Sequence, residues 1–405
     1  MPEAARRRVA LTGRGCVSSL GGSIAEMEQA LREGRGGIVA LDPMRYPGPL
    51  RMPVAAPVTG FDALARFGDK RLAQLDPFAQ FALAAAREAV AESGLEPAAL
   101  SSAAVVVGTG GGGQSTIDDE SQGLYRDGAR VHPLTVPRVM ASSATSQIAI
   151  DFGCHGPAFG VTSACASANH AIGLAFQMVR QGLVDVVLAG GAEAPLSYGS
   201  LRAWEALRVI ATDTCRPFSR GRTGMVLGEG GGVFVLEAWD AAQRRGALVL
   251  AEIVGFGASA DAGDLVHPDP TGMAAAMRAA LADGGLHPED IDHINAHGTG
   301  TPTNDGCETR ALHDVFGAHA ARLSVSATKS AHGHALGAAG ALELAATVFA
   351  LREGFAPATL NFTARDPACD LDYTPNAGRA CELRYALSNS FAFGGLNAVL
   401  AVRAA

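Results

Sequence analysis

Charge, tryptophan and long apolar runs are all scarce in this 405-residue chain. Only 18% of its residues are charged, the net charge is −8, and the basic residues are scattered rather than gathered into a stripe. That excludes the electrostatic footprint of a nucleic-acid binder. No apolar run reaches the roughly 18 residues of a membrane span. Met1–Arg8 is short and basic and leads into a brief apolar strand, without the h-region or cleavage site of a signal peptide. The seven cysteines are odd in number and show no C-x-x-C spacing, which argues against a disulfide framework or structural zinc. Reduced thiols in a cytoplasmic protein are expected instead. With 50 Gly, 2 Trp and 48% hydrophobic residues, the composition points to tightly packed helices and turns around a large core, and no low-complexity tail is present.

What is there is an alternation of strand-like and helical segments. VALTG, Ala82–Ser93, AAVVVGTG, Ser167–Gln181 and VDVVLAGGAEA form a first series. A second begins near Leu248 with AEIVGFGAS, then Met273–Asp283, IDHINAHGTG, LSVSATKS, Gly340–Arg352, YALSNSFAFGG and NAVLAVR. The pattern is α/β, and its second series echoes the first. Two halves are expected, residues 1–250 and 251–405. The excursions Thr109–Ala158 and Ser197–Arg222 are long enough to line a pocket or a partner interface.

Three segments carry chemistry. In VTSACASANHAIGLAF an apolar run breaks at small residues and resumes with helical spacing, which places Cys165 on a strand-to-helix turn. Unpaired N–H groups and the partial positive charge of a helix start favour a thiolate and an adjacent oxyanion. NAHGTGTPTNDGCETRAL sets His297 on a Gly/Thr-rich turn, and ATKSAHGHALGAAGALE sets Lys329 and His334 on another before a helix. Together they read as one acyl-transfer site. A lone buried Cys is usually inert, so the company of these residues carries the reading. His332 beside His334 raises a metal reading, but no carboxylate or cysteine repeats nearby at ligand spacing, so no metal is expected. GTGGGG at Gly108–Gly113 formally satisfies G-x-G-x-x-G and nearly spells a phosphate loop. Gln114 stands where that loop needs Lys, and a polyglycine run meets the dinucleotide pattern by composition alone.

The four ordered motifs, from RRVALTGRGCVSSLGGS to SNSFAFGGLNAVLAV, resemble those of the β-ketoacyl-acyl-carrier-protein synthases, the elongating condensing enzymes. LRAWEALRVIATDTCRPFS, VLGEGGG, KSAHGH and CDLDYTPN look closest to the nodulation-protein-E-like subgroup. The resemblance implies a thiolase-like fold of two related halves in five layers, αβαβα. It implies that Cys165 carries the acyl chain, that His297 and His334 assist decarboxylation of a malonyl thioester, and that Lys329 with Glu343 organises the histidines. Lys329 is not expected to bind the malonyl carboxylate, since that would stabilise the charge the reaction must lose. The N–H groups of Cys165 and Phe393 would form the oxyanion hole. Gly111, Trp204, Phe391, Thr299 and Thr301 would line the substrate path, Gly111 standing where relatives carry a bulky aliphatic gate and so implying a roomier or differently gated pocket.

Within SFAFGGLN, Ala392 and Leu396 replace a usual glycine and threonine, which puts the loop's motion in doubt. No cofactor is implied beyond the phosphopantetheine arm of the partner, an acyl-carrier protein. Lys70, Arg71 and Arg208 are the docking candidates, with Ala73 and Gln74 where relatives are basic. A homodimer, or a heterodimer with a chain-length-factor-like subunit, is implied. Two alternatives stand beside condensation: a thiolase or starter-type enzyme, which the Lys329–His334 motif opposes, and a non-catalytic partner subunit, which Cys165 opposes.

Overall fold

The computed structural model describes residues 6–405. The first half supplies strands β1 (Val9–Ser18), β2 (Ala104–Gly108), β3 (Ala158–Val161), β4 (Val186–Glu193) and β5 (Gly230–Ala238). The second supplies β6 (Ala251–Ala260), β7 (His293–Asn295), β8 (Ser324–Ser326), β9 (Tyr385–Ala392) and β10 (Leu396–Ala404). They run in the order β8-β7-β9-β10-β6-β1-β5-β4-β2-β3 in a single ten-stranded sheet. Counted from its own start, each half has the same order: third, second, fourth, fifth, first. The hydrogen bonding repeats as well. In both halves the third, second and fourth strands pair in parallel, and the fifth is antiparallel to the fourth and the first. The halves join where β1 meets β6, through Val9↔Ile253, Ala10↔Glu252 and Leu11↔Ala251.

The helices repeat with the strands. Seven of them bear on the site: α1 (Pro77–Ser93), α2 (Gln114–Asp127), α3 (Ser167–Arg180), α4 (Tyr198–Ala206), α5 (Pro270–Gly284), α6 (Pro302–Phe316) and α7 (Ala339–Glu353). α1 and α5 hold equivalent places and share one set of signals. Each starts at an Asp whose side chain accepts a backbone N–H, follows it with Pro, and stops at a left-handed Gly: Asp76, Pro77 and Gly94; Asp269, Pro270 and Gly285. α1 packs on β1, β5 and β4, while α5 packs on β6 and β10. α3 and α7 lie between the two halves of the sheet, touching strands of both. This gives the five layers.

Burial explains the composition. Every residue of β1, β4 and β5 is buried, as expected for strands covered on both faces. From Ala339 to Leu351, α7 is buried on all sides and is apolar apart from Glu343 and Thr347. Gly13 and Gly15 let α1 lie directly on β1, because a Cβ at either would strike the carbonyl of Ala89 or Ala85. All seven cysteines are unpaired. No helix among the described residues is long and apolar enough to cross a membrane.

Candidate active site

The third strand of each half leads through a tight turn into a central helix, and the two turns bring the chemistry together. In the first half, Ala164–Ala166 makes a 3-10 turn into α3, with Ala164 at φ 49°. A non-glycine residue there is strained, and Ser167 holds it: its hydroxyl donates to Ala164 O at 2.6 Å and accepts from Ser163 N–H at 2.9 Å. In the second half, Leu336–Ala338 makes the matching turn into α7, with Leu336 at φ 45°. Cys165 follows the strained residue of the first turn. His334 sits two residues before the strained residue of the second.

His297 follows β7. Its peptide N–H and that of Gly298 donate to the two carboxylate oxygens of Glu308 on α6, at 2.8 and 2.9 Å. Lys329 is fully buried and its donors are all used: on the Glu343 carboxylate, on His297 O at 2.7 Å and on His297 Nδ1 at 3.2 Å. The Leu336 N–H donates to His334 Nδ1 at 3.2 Å. Both Nδ1 atoms are therefore acceptors, which puts the ring proton of each histidine on Nε2. The rings stand nearly perpendicular, with centroids 5.4 Å apart. Burial, then the Lys329 charge, holds both imidazoles well below their ordinary 6.5. They are neutral donors at physiological pH.

Cys165 shares with both histidines a cavity of about 450 Å³, whose walls include Thr299, Thr301, Phe391 and Phe393. Burial pushes its thiol up to about 12, with Lys329 and the Phe393 N–H pulling down and Glu193 and Glu343 pushing up. The thiolate expected from the helix start is thus not the resting form: burial outweighs that local field. The Phe393 N–H is near enough to the sulfur to favour its ionised form. Its ring stacks on Trp204 at 6.1 Å. Ala392 and Leu396 pair across a hairpin, and the conformational freedom of the loop lies between them, in Gly394 (φ 81°) and Gly395 (φ 67°).

Other expected residues are placed differently. Gly111 is not on the wall of this cavity: its N–H donates to Glu193 at 3.0 Å, and the space a side chain would take is filled by the Gln114 carboxamide. The side-chain space at Gly111 is thus not empty. Trp204 supports Phe393 rather than lining the cavity itself. Lys70 and Arg208 are exposed, and Arg208 follows Leu207 on the cavity wall. Arg71 turns inward instead, to Gln147 O at 3.1 Å and Asp151 at 3.8 Å, so its charge is used within the fold. His332 contacts no cavity: its ring nitrogens meet Gly333 O at 2.8 Å and Thr328 Oγ1 at 3.1 Å, and burial pushes it down to about 3.

Two buried carboxylates escaped sequence reasoning. Glu308 braces His297, and Glu193 gathers the N–H groups of Gly110, Gly111 and Gly337 at 2.5, 3.0 and 3.0 Å. A signal for Glu308 existed, since it shares the helical face of Asp305, Leu312 and Val315 and an acid on an apolar face needs donors.

The Lys329–Glu343 pair also carries stability. Lys329→Met leaves a buried carboxylate unpaired, which costs about 3–5 kcal/mol, and melting should fall by several degrees. In the double variant Lys329→Met/Glu343→Leu most of that loss should return, because no buried charge is left. A single variant as stable as the parent would show that the pair is energetically idle.

The chain matches the β-ketoacyl synthase N-terminal domain over residues 6–242 and the C-terminal domain over residues 250–363. It is 48% identical over 401 residues to nodulation protein E of Rhizobium sp. (strain N33), covering 98% of this chain and 99% of that one. It is 39% identical over 409 residues to 3-oxoacyl-[acyl-carrier-protein] synthase 2 of Coxiella burnetii, covering 98% of each. Among solved structures, the ishigamide ketosynthase/chain length factor superposes with a TM-score of 0.94 at 36% identity, over 99% of this chain and 100% of that one. With a cysteine and two neutral histidines meeting in one cavity of a duplicated fold, and with these likenesses along its length, the chain belongs to the β-ketoacyl synthase family of condensing enzymes.

Proposed function

We propose that Cys165, His297 and His334 carry out a decarboxylative Claisen condensation on acyl and malonyl groups delivered by an acyl-carrier protein. The observation that carries the reading is the convergence of two Nε2–H donors and one thiol on a single cavity. The Cys165 sulfur attacks the acyl thioester, its proton passes to the departing phosphopantetheine thiol, and the acyl chain stays on the enzyme. A malonyl thioester then enters with its carbonyl oxygen between the two imidazoles. Loss of carbon dioxide leaves an enolate, stabilised by hydrogen bonds from donors already in place. The enolate carbon attacks the acyl-Cys165 carbonyl. The oxyanion formed is held by the N–H groups of Cys165 and Phe393, and its collapse expels the thiolate, which takes up a proton.

Lys329 acts on this site through His297. Its N–H on Nδ1 fixes the tautomer and its bond to His297 O fixes the turn. Thr299 and Thr301, whose hydroxyls lie 2.9 Å apart on the wall, give polar contacts for the arm. Lys70 and Arg208 supply the exposed positive charge that an acidic carrier would meet, without Arg71.

A dimer completes the proposal. The sheet ends at β3, an edge strand whose residues Ala158, Phe159 and Gly160 are exposed. Val136 and Ile150 are each 67% exposed in the excursion that precedes it. An unpaired edge beside apolar surface favours closure by a second copy or a related subunit. The ketosynthase/chain length factor named above supports the second form.

The test is direct. Incubation with acyl-carrier protein should add the acyl mass to Cys165, and subsequent malonyl-carrier protein should release a chain longer by two carbons with a 3-oxo group. An enzyme that takes up no acyl mass overturns the proposal in favour of a non-catalytic subunit.

A further inference from the structure

Glu193 closes β4, and the parallel register of β4 with β2 sets it beside the residues that follow Gly108. Its carboxylate is fully buried and takes four donors. Thr109 Oγ1 and the Gly111 N–H reach Oε1 at 3.1 and 3.0 Å, while the N–H groups of Gly110 and Gly337 reach Oε2 at 2.5 and 3.0 Å. Three of these partners follow β2 in the first half; Gly337 lies in the turn that leads into α7. The backbone is cleared for this contact. A Cβ at Gly337 would lie 2.2 Å from Gly110 N and 2.5 Å from Glu193 Oε2, one at Gly191 2.8 Å from Gly337 O, and one at Gly110 2.9 Å from Glu193 Oε2. Each position is too tight for a side chain.

What the Gly337 bond holds is the turn that carries His334. Leu336 stands between two consecutive N–H groups: its own donates to His334 Nδ1 at 3.2 Å, and that of Gly337 donates to Glu193. Leu336 is also the strained residue, at φ 45°. A non-glycine residue keeps such a φ only where its surroundings over-determine it. With Gly337 released, Leu336 is free to relax, and rotation about its φ turns its N–H away from the imidazole. His334 then loses the contact that reserves Nδ1 as acceptor, and the other tautomer, whose Nε2 cannot donate, opens to it.

We propose that Glu193 is a positioning residue for the malonyl step: by anchoring Gly337 to the Gly110–Gly111 run, it holds His334 in the tautomer that donates from Nε2. This rests on the reading of His334 as a donor to the enolate. Glu193 bears on the acyl step in the opposite sense, because its charge pushes the Cys165 thiol up.

The experiment compares Glu193→Ala and the isosteric Glu193→Gln with the parent at pH 8, above the value of about 7 to which burial pushes the Glu193 carboxyl. Carbon dioxide release from malonyl-carrier protein and acyl mass on Cys165 are read side by side. Glu193→Ala should lower decarboxylation at least about ten-fold, with the 10²–10³-fold loss from removing the donor itself as the limit. Acyl uptake should not fall. Glu193→Gln keeps one acceptor oxygen but turns its NH2 on the remaining donors, so its decarboxylation should lie between the two. In a His334→Ala background neither variant should lower the residual decarboxylation further, since the ring they act through is gone.

A folded Glu193→Ala enzyme that decarboxylates at the parental rate overturns this role. So does a drop of equal size with and without His334, because a general loosening of the site would show in both backgrounds. If Glu193→Ala does not fold, Glu193→Gln decides by the same two comparisons. A parent enzyme that releases no carbon dioxide from malonyl-carrier protein would instead overturn the proposed function, so the two failures are distinct.

Discussion

Cys165→Ala is expected to lower condensation by more than about 10⁴-fold while decarboxylation of malonyl-carrier protein continues. No other thiol can stand in. Cys215 lies near the site, with its sulfur on Thr299 O at 3.4 Å, but it is fully buried and off the cavity wall. The decarboxylation donors do not depend on the sulfur: the His297 tautomer is held by Lys329, and the His334 tautomer by the Leu336 N–H. Carbon dioxide release and 3-oxoacyl product, measured side by side on the variant, check both halves of this statement. Condensation near the parental rate would remove Cys165 from the mechanism. Loss of both reactions together, in a folded protein, would mean that the thiol also serves the malonyl step.

His334→Ala should show the opposite division. Removing one preorganised donor to a developing oxyanion costs about 10²–10³ in rate, so decarboxylation should fall by that factor while Cys165 still takes up its acyl group. The pH profile gives a second reading. Protonation of either imidazole lies well below 6.5, so in the parent enzyme both remain neutral as pH falls from 8 to about 6. The histidines themselves should therefore contribute no inflection at their ordinary value. An unchanged rate in His334→Ala would contradict the neutral-donor arrangement, whereas an inflection near 7 would report the buried Glu193, Glu308 and Glu343 carboxyls, which burial pushes up to about 7.

The parts of the site that could be read from the sequence are those built from short motifs on turns. Cys165, His297, Lys329 and His334 each sit where an apolar run ends in small residues, and such turns at strand ends are where reactive side chains are commonly held. The α/β alternation was legible for the same local reason. What depends on distant partners was not. Arg71 reads as surface charge until Asp151, eighty positions later, is brought to it. The acidity of Cys165 follows from total burial, which no window around residue 165 contains. At Gly111 the missing side chain is visible in the sequence, but its replacement by Gln114 depends on the backbone of a glycine run and on Ser200 across the gap. The fusion of the two halves into one sheet rests on three residue pairs between β1 and β6 and has no sequence signature of its own.

That junction has a consequence for how the chain is made. β1 precedes the other strands of its sheet in the sequence and sits in the middle of that sheet, where it pairs Val9 with Ala238 on one side and with Ile253 on the other. Neither neighbour exists until roughly 200 further residues have been translated, and at about 5–20 residues per second that interval is on the order of tens of seconds. Through it, a strand that the finished fold buries on both faces waits without a partner. Non-local pairing of this kind makes folding slow and leaves the nascent chain open to aggregation. Placing the two catalytic turns back to back across a duplicated fold thus leaves β1 unpaired until β5 and β6 have both been made.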